Sequence, residues 1–120
     1  NVRACIGAVV QRDGLELNED HAVSRNDRAY FMLLYNGSLY GSGKEDDDLL
    51  GRGCVAVGDR MGVLVKAGAE GYVRFYRNGA AFGSGFRAPV KAPLVLAVQM
   101  LGYEGVSLEL LPGAAVPAGV

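Results

Sequence analysis

Few residues of this 120-residue chain have the types and spacing that chemistry requires. The single histidine, His21, follows Asn18-Glu19-Asp20 in a polar stretch and reads as a surface-loop residue, not a general base. The Gly-Ser-Gly triplets at 41–43 and 83–85 lack the Gly-x-Ser-x-Gly frame, and the strand-to-helix turn, that would expose a nucleophilic serine. Cys5 and Cys54 are far apart in sequence, and with one histidine they do not make a zinc set. Gly41-Ser42-Gly43-Lys44 has the ending of a phosphate loop, but Ser38 stands where its first glycine is needed. Glu45 then stands where a hydroxyl would hold magnesium, and a carboxylate there repels phosphate. Glu45-Asp46-Asp47-Asp48 is the one dense charge run. Calcium loops alternate their ligands around a bending glycine, so the run reads as a solvated loop, with an acidic partner-contact loop as the alternative. The expectation is a non-enzymatic domain with no metal and no cofactor.

Charge and hydropathy narrow the partners. Twelve Lys+Arg stand against 13 Asp+Glu. Residues 1–60 carry 7 basic and 10 acidic side chains (−3), and residues 61–120 carry 5 and 3 (+2). Neither half has a basic cluster able to neutralise several phosphates, so nucleic acid is not expected as a direct partner. No apolar run approaches a membrane span, and the N-terminus lacks the form of a signal peptide, so no membrane insertion is expected. Two sparse cysteines suit a reducing compartment; the expected location is intracellular, the cytoplasm ahead of the nucleus.

The elements that must position any site are strands. Glycine is 18 of 120 residues, about twice its usual share of roughly 7 %, which supplies tight turns and works against helices. Apolar segments rich in β-branched and aromatic residues recur at 5–10, 29–35, 54–57, 62–65, 72–76, 94–100 and 106–111, bounded by turn residues. No helical stripe appears. Tyr72-Val73-Arg74-Phe75-Tyr76 alternates as a half-exposed strand, and Val106-Ser107-Leu108-Glu109-Leu110 does the same. Leu94-Val95-Leu96-Ala97-Val98 does not alternate, which predicts a central strand covered on both faces. Asn36-Gly37 and Asn78-Gly79 each predict a hairpin, because both residue types tolerate the positive φ of a type I′ turn. Gly58-Asp59 predicts a turn capped by its own carboxylate. Gly62 suggests a bulge or a close backbone approach. Phe75, Phe82 and Phe86 are expected in the core. The fold class is all-β, a two-sheet antiparallel sandwich over residues 1–111, with 112–120 as a linker or tail. The lack of an initiator methionine before Asn1 suggests a piece of a longer protein, with the first strands upstream.

From Ala29 onward the order of motifs resembles a SPRY domain, the β-sandwich module also found in butyrophilin-type proteins. Tyr35-Asn36-Gly37-Ser38-Leu39-Tyr40 is similar to the family's Asn/Gly turn followed by Leu-Tyr. Val57-Gly58-Asp59-Arg60-Met61-Gly62-Val63-Leu64-Val65 resembles its Gly-Asp-x-Ile-Gly-Val-Leu-Leu-Asp signature, with Lys66 in place of the final Asp. Val73-Arg74-Phe75-Tyr76-Arg77-Asn78-Gly79, with Gly83 and Phe86, resembles its Phe-Tyr/Phe-x-Asn-Gly-x-x-x-Gly-x-x-Phe hairpin. Pro93-Leu94-Val95-Leu96-Ala97-Val98 stands where the family has Pro-Leu-Tyr-Pro-Ala-Val, with Leu96 replacing a proline. The tryptophan of the family's Trp-Gly segment is absent, with Tyr30 or Phe31 in its place.

The resemblance implies a protein–protein interaction module that binds a partner protein or peptide through loops at one edge of the sandwich. Carried over by position, the partner-binding residues are Tyr40, Ser42 and Lys44, then Leu101, Gly102 and Tyr103. Tyr40 and Tyr103 offer rigid aromatic area, and Gly102 permits close backbone approach. The alternative for both tyrosines is that they cover sheet ends. The alternative for the whole domain is a structural block fixed within a large intracellular assembly, where an unpaired edge strand invites augmentation.

Overall fold

The computed structural model describes residues 4–10, 29–41, 44–47, 50–51, 53–87, 89–100, 107–111, 113 and 115–116. The described residues form nine strands and no helix: β1 (Ala4–Val10), β2 (Ala29–Leu33), β3 (Leu39–Gly41), β4 (Lys44–Asp47), β5 (Met61–Lys66), β6 (Tyr72–Arg77), β7 (Ala80–Ala81), β8 (Phe86–Arg87) and β9 (Leu94–Met100). They make two antiparallel sheets. One has five strands in the order β4-β3-β2-β1-β9, and the other runs β5-β6-β7 with β8 also paired to β6. The all-β, two-sheet architecture expected from the apolar pattern is the one observed. Among the described residues no helix is long and apolar enough to cross a membrane.

Register sorts the side chains. Residues directly opposite in an antiparallel pair share a face, so Ile6↔Met32 and Ile6↔Val98 place three apolar side chains on one side of the large sheet. Ile6 and Met32 join Ala4, Val10, Tyr30, Leu34 and Leu39 against Val73, Phe75 and Phe86 of the small sheet. This is the inter-sheet core, at roughly 1.5–3 kcal/mol for each large apolar side chain removed from water. The Tyr30 ring meets Phe86 edge to face, with centroids 5.3 Å apart. Phe75 and Phe86 are core residues, and Phe82 packs partly buried against them. The opposite face of the large sheet carries a second buried cluster of Cys5, Val9, Ala29, Phe31 and Ala97.

Several segments depart from the sequence expectations. Residues 54–57 turn instead of forming a strand: Asp59 N–H donates to the Ala56 carbonyl (3.0 Å), and Val57 is 85 % exposed. β9 is not covered on both faces. Among the described strands it pairs with β1 alone and ends its sheet, while β5 lies against β1. The side of β9 facing the small sheet therefore projects past it, leaving Leu96 56 % and Val98 47 % exposed while Ala97 is buried. Residues 107–111 are in no strand, and Leu108, Leu110 and Leu111 are exposed. Alternation gives that segment an apolar side, but a strand also needs a hydrogen-bonded neighbour, and no described strand pairs with it. The acidic run is not a loop: Lys44–Asp47 is β4, paired to β3 with a register shift between Leu39 and Gly41. Asp48 lies outside the described residues. Gly62 sits in unbroken register opposite Tyr76, without a bulge, and a Cβ there would meet only Tyr76 Cβ at 3.5 Å.

Candidate functional site

The expected loop-edge site is described in part. Tyr40 lies on β3 opposite Phe31, half-buried against the Cys5–Val9–Phe31 cluster. Lys44 begins β4, opposite Gly41. Pairing of β3 with β4 thus brings these two positions into one hairpin. Ser42, Leu101, Gly102 and Tyr103 lie outside the described residues. The packing of Tyr40 gives it a structural role in covering the sheet, alongside whatever its edge presents.

A polar cluster joins two turns at the other sheet. Asp59 Oδ2 accepts from Ala56 N–H (2.8 Å) and from Arg77 Nε (2.9 Å), while Oδ1 accepts from Asn78 Nδ2 (3.0 Å). Asn78 returns the contact to the next residue: Arg60 N–H donates to Asn78 Oδ1 (2.9 Å), and Asn78 N–H donates to the Arg60 carbonyl (2.7 Å). The turn at Gly58-Asp59 is therefore capped by its own carboxylate, as expected, with the cap reaching back three residues. Three donors hold the carboxyl low, at about 2. The Ala56 amide contributes most, followed by the Asn78 amide and Arg77. The Asn78-Gly79 turn has φ 51° and 85°, the paired positive values of a type I′ hairpin. The sequence marks both turns; their mutual contact follows only from the β5–β6 register, Met61↔Arg77.

The outer face of the small sheet holds a constellation the sequence reading passed over. Val73, Phe75 and Phe86 point into the core, so alternation turns Tyr72, Arg74 and Tyr76 outward. Register adds Gly62, Leu64 and Lys66 from β5 and Arg87 from β8. Lys66, Tyr72 and Arg87 form one row across three strands, with Leu64 and Arg74 in the next. Lys66, Arg74 and Arg87 are all exposed. The Arg74 guanidinium lies 3.9 Å from the centroid of the Tyr72 ring, a cation–π contact. None of these register positions carries a carboxylate, and Glu70 lies in the turn between β5 and β6. The alternation of Tyr72-Arg74-Tyr76 was the available signal. Arg87 escaped because β8 has only two residues, too short for a periodic pattern.

The two thiols lie on opposite sides of the large sheet, which keeps them apart. Cys5 belongs to the buried outer cluster, and Cys54 packs against the inter-sheet core with its Sγ 3.8 Å from the Leu34 carbonyl. Both are free thiols, and burial pushes Cys5 up to about 12, which removes its thiolate. Comparison of the chain with protein-family models, curated proteins and solved structures finds no match.

Proposed function

We propose that the chain is a non-enzymatic protein-interaction module, a SPRY-like sandwich that docks a partner segment through loops at one edge. Tyr40, Ser42, Lys44, Leu101, Gly102 and Tyr103 supply its contacts. The observation that carries this reading is the Asp59–Asn78 contact. It stitches together the two stretches in which the resemblance is densest, 57–65 and 73–79, so that motifs distant in sequence form one physical unit. An aromatic held on a short paired strand, as Tyr40 is on β3, presents contact area at low entropic cost. The test is a quantitative pull-down comparing the unaltered chain with Tyr103→Ala and Tyr40→Phe. Loss of a saturable partner with nearly unchanged melting supports the reading; undiminished capture by both variants overturns it.

A second reading, a structural block within a larger assembly, is favoured by the exposed apolar strip of Leu96, Val98 and Met100 on β9. Among the described strands β9 ends its sheet, and an end strand with such a side is suited to pairing with another chain. Size-exclusion chromatography separates the two readings: a monodisperse monomer favours the portable module, and self-association the assembly part.

A further inference from the structure

We propose that the outer face of the small sheet is a second binding surface, one that takes an acidic peptide segment of a partner protein. Lys66, Arg74 and Arg87 meet its carboxylates. This surface is separate from the loop-edge site and does not depend on the family resemblance.

Three observations carry the proposal. First, the cations are concentrated against the trend of the molecule. The chain is formally −1, yet this face gathers three exposed cations and no carboxylate at any of its register positions. Second, the spacing is peptide-like. Lys66 and Arg87 flank Tyr72 from the two neighbouring strands, roughly 10 Å apart at two strand spacings. Carboxylates three residues apart on a polyproline II chain, which has three residues per turn, face the same way about 9 Å apart. Arg74 lies one row along, roughly 7 Å away, and can accept a third. Third, the central cation is pre-positioned. Arg74 rests on the Tyr72 ring while staying exposed, so its donor fork is offered with less entropy left to lose.

The same geometry argues against a nucleic acid strand. Base recognition on a sheet needs open aromatic faces for stacking. Here Arg74 lies over the Tyr72 ring, and Tyr76 is only 8 % exposed. Three cations also neutralise too few phosphates to hold a strand by charge alone. Carboxylates need only the guanidinium and ammonium donors, which are what this face presents.

The experiment is fluorescence anisotropy on the full chain with a labelled Glu-Ser-Ser-Glu-Ser-Glu peptide, beside a labelled oligo-uridine of equal charge. The expected result is saturable peptide binding that weakens with salt and falls about fivefold or more for each of Lys66→Ala, Arg74→Ala and Arg87→Ala. Lys91→Ala, an exposed cation in the segment after β8, should bind as the unaltered chain does, and Arg74→Lys should retain part of the affinity. Circular dichroism of each variant confirms folding. Equal weakening by Lys91→Ala overturns the proposal in favour of diffuse charge, and tighter binding of oligo-uridine overturns it in favour of nucleic acid. Salt-sensitive dimerisation lost in Arg74→Ala overturns it in favour of a second copy, whose 45–48 run carries the same chemistry. Unchanged peptide binding in Tyr103→Ala separates this surface from the loop-edge site.

Discussion

Arg77 Nε donates to Asp59 Oδ2 over 2.9 Å, from the end of β6 to the turn that launches β5. The same oxygen accepts the Ala56 amide, so one carboxylate closes its own turn and ties that turn to the neighbouring hairpin. Every one of these contacts is to the charged form.

The pH dependence follows from that preference. The Asp59 carboxyl is held at about 2, chiefly by the Ala56 amide and then by Asn78 and Arg77, against about 3.9 for an unfolded aspartate. A lowered native pKa gives stability that is present in full above the unfolded value and is lost as pH falls through the native one. The stability difference between the unaltered chain and Asp59→Asn should therefore be constant above about pH 5 and shrink between about pH 4 and 2. Melting curves across that range measure it. A difference that does not change with pH would show that the carboxylate's charge is not what matters.

Asn78 has two separable jobs, holding φ 51° and bonding to Asp59 and Arg60. Asn78→Gly keeps the positive φ without strain but loses the side-chain bonds. Asn78→Ala loses the bonds and also strains the backbone, by about 1–2 kcal/mol. The alanine variant should therefore be less stable than the glycine variant by that amount in chemical denaturation. Equal stabilities would mean that the turn relaxes out of its type I′ form.

The two Asn-Gly pairs show where sequence legibility stops. Asn78-Gly79 is read correctly as a two-residue turn because Arg77 and Ala80 pair directly across it. Asn36-Gly37 has the same dipeptide and a different geometry. Its hairpin closes between Leu33 N–H and the Ser38 carbonyl, Asn36 Oδ1 caps Ser38 N–H, and only Gly37 has positive φ. The difference comes from Leu50, which crowds Gly37 so closely that a Cβ there would strike it, and whose N–H donates to the Asn36 carbonyl. Leu50 is distant enough in sequence that no local pattern announces it. The basic outer face was hidden for a similar reason: Lys66, Arg74 and Arg87 come together only once the register of β5, β6 and β8 is known.

Glycine inside a strand can be required or dispensable, and two positions separate the cases. A Cβ on Gly7 of β1 would run into the Tyr30 backbone carbonyl, which cannot move without breaking the β1–β2 pairing. Gly7→Ala should cost about 1–3 kcal/mol, the range for overpacking a buried site. Gly62→Ala on β5 meets only an ordinary contact with Tyr76. It should be neutral or stabilising by up to about 1 kcal/mol, through the narrower unfolded ensemble. Urea titrations of both variants decide this, and a loss at Gly62 equal to that at Gly7 would contradict the account.

Neighbouring positions on β9 should respond oppositely to the same substitution. Leu96 projects past the edge of the small sheet and is more than half exposed, while Ala97 points into the cluster of Cys5, Val9 and Phe31. Leu96→Lys places a charge on an exposed strand edge, a device that discourages pairing with other chains. Its effect on stability should stay within about 0.5 kcal/mol, as for most surface changes. If the apolar strip drives association, the variant should also elute as a smaller species at high protein concentration. Ala97→Lys must bury an unpaired ammonium or open the cluster, at a cost of several kcal/mol. Melting temperature and elution volume together read out both effects. Comparable destabilisation by the two lysines would mean that something covers Leu96, and that β9 is an interior strand as its unbroken apolar run first suggests.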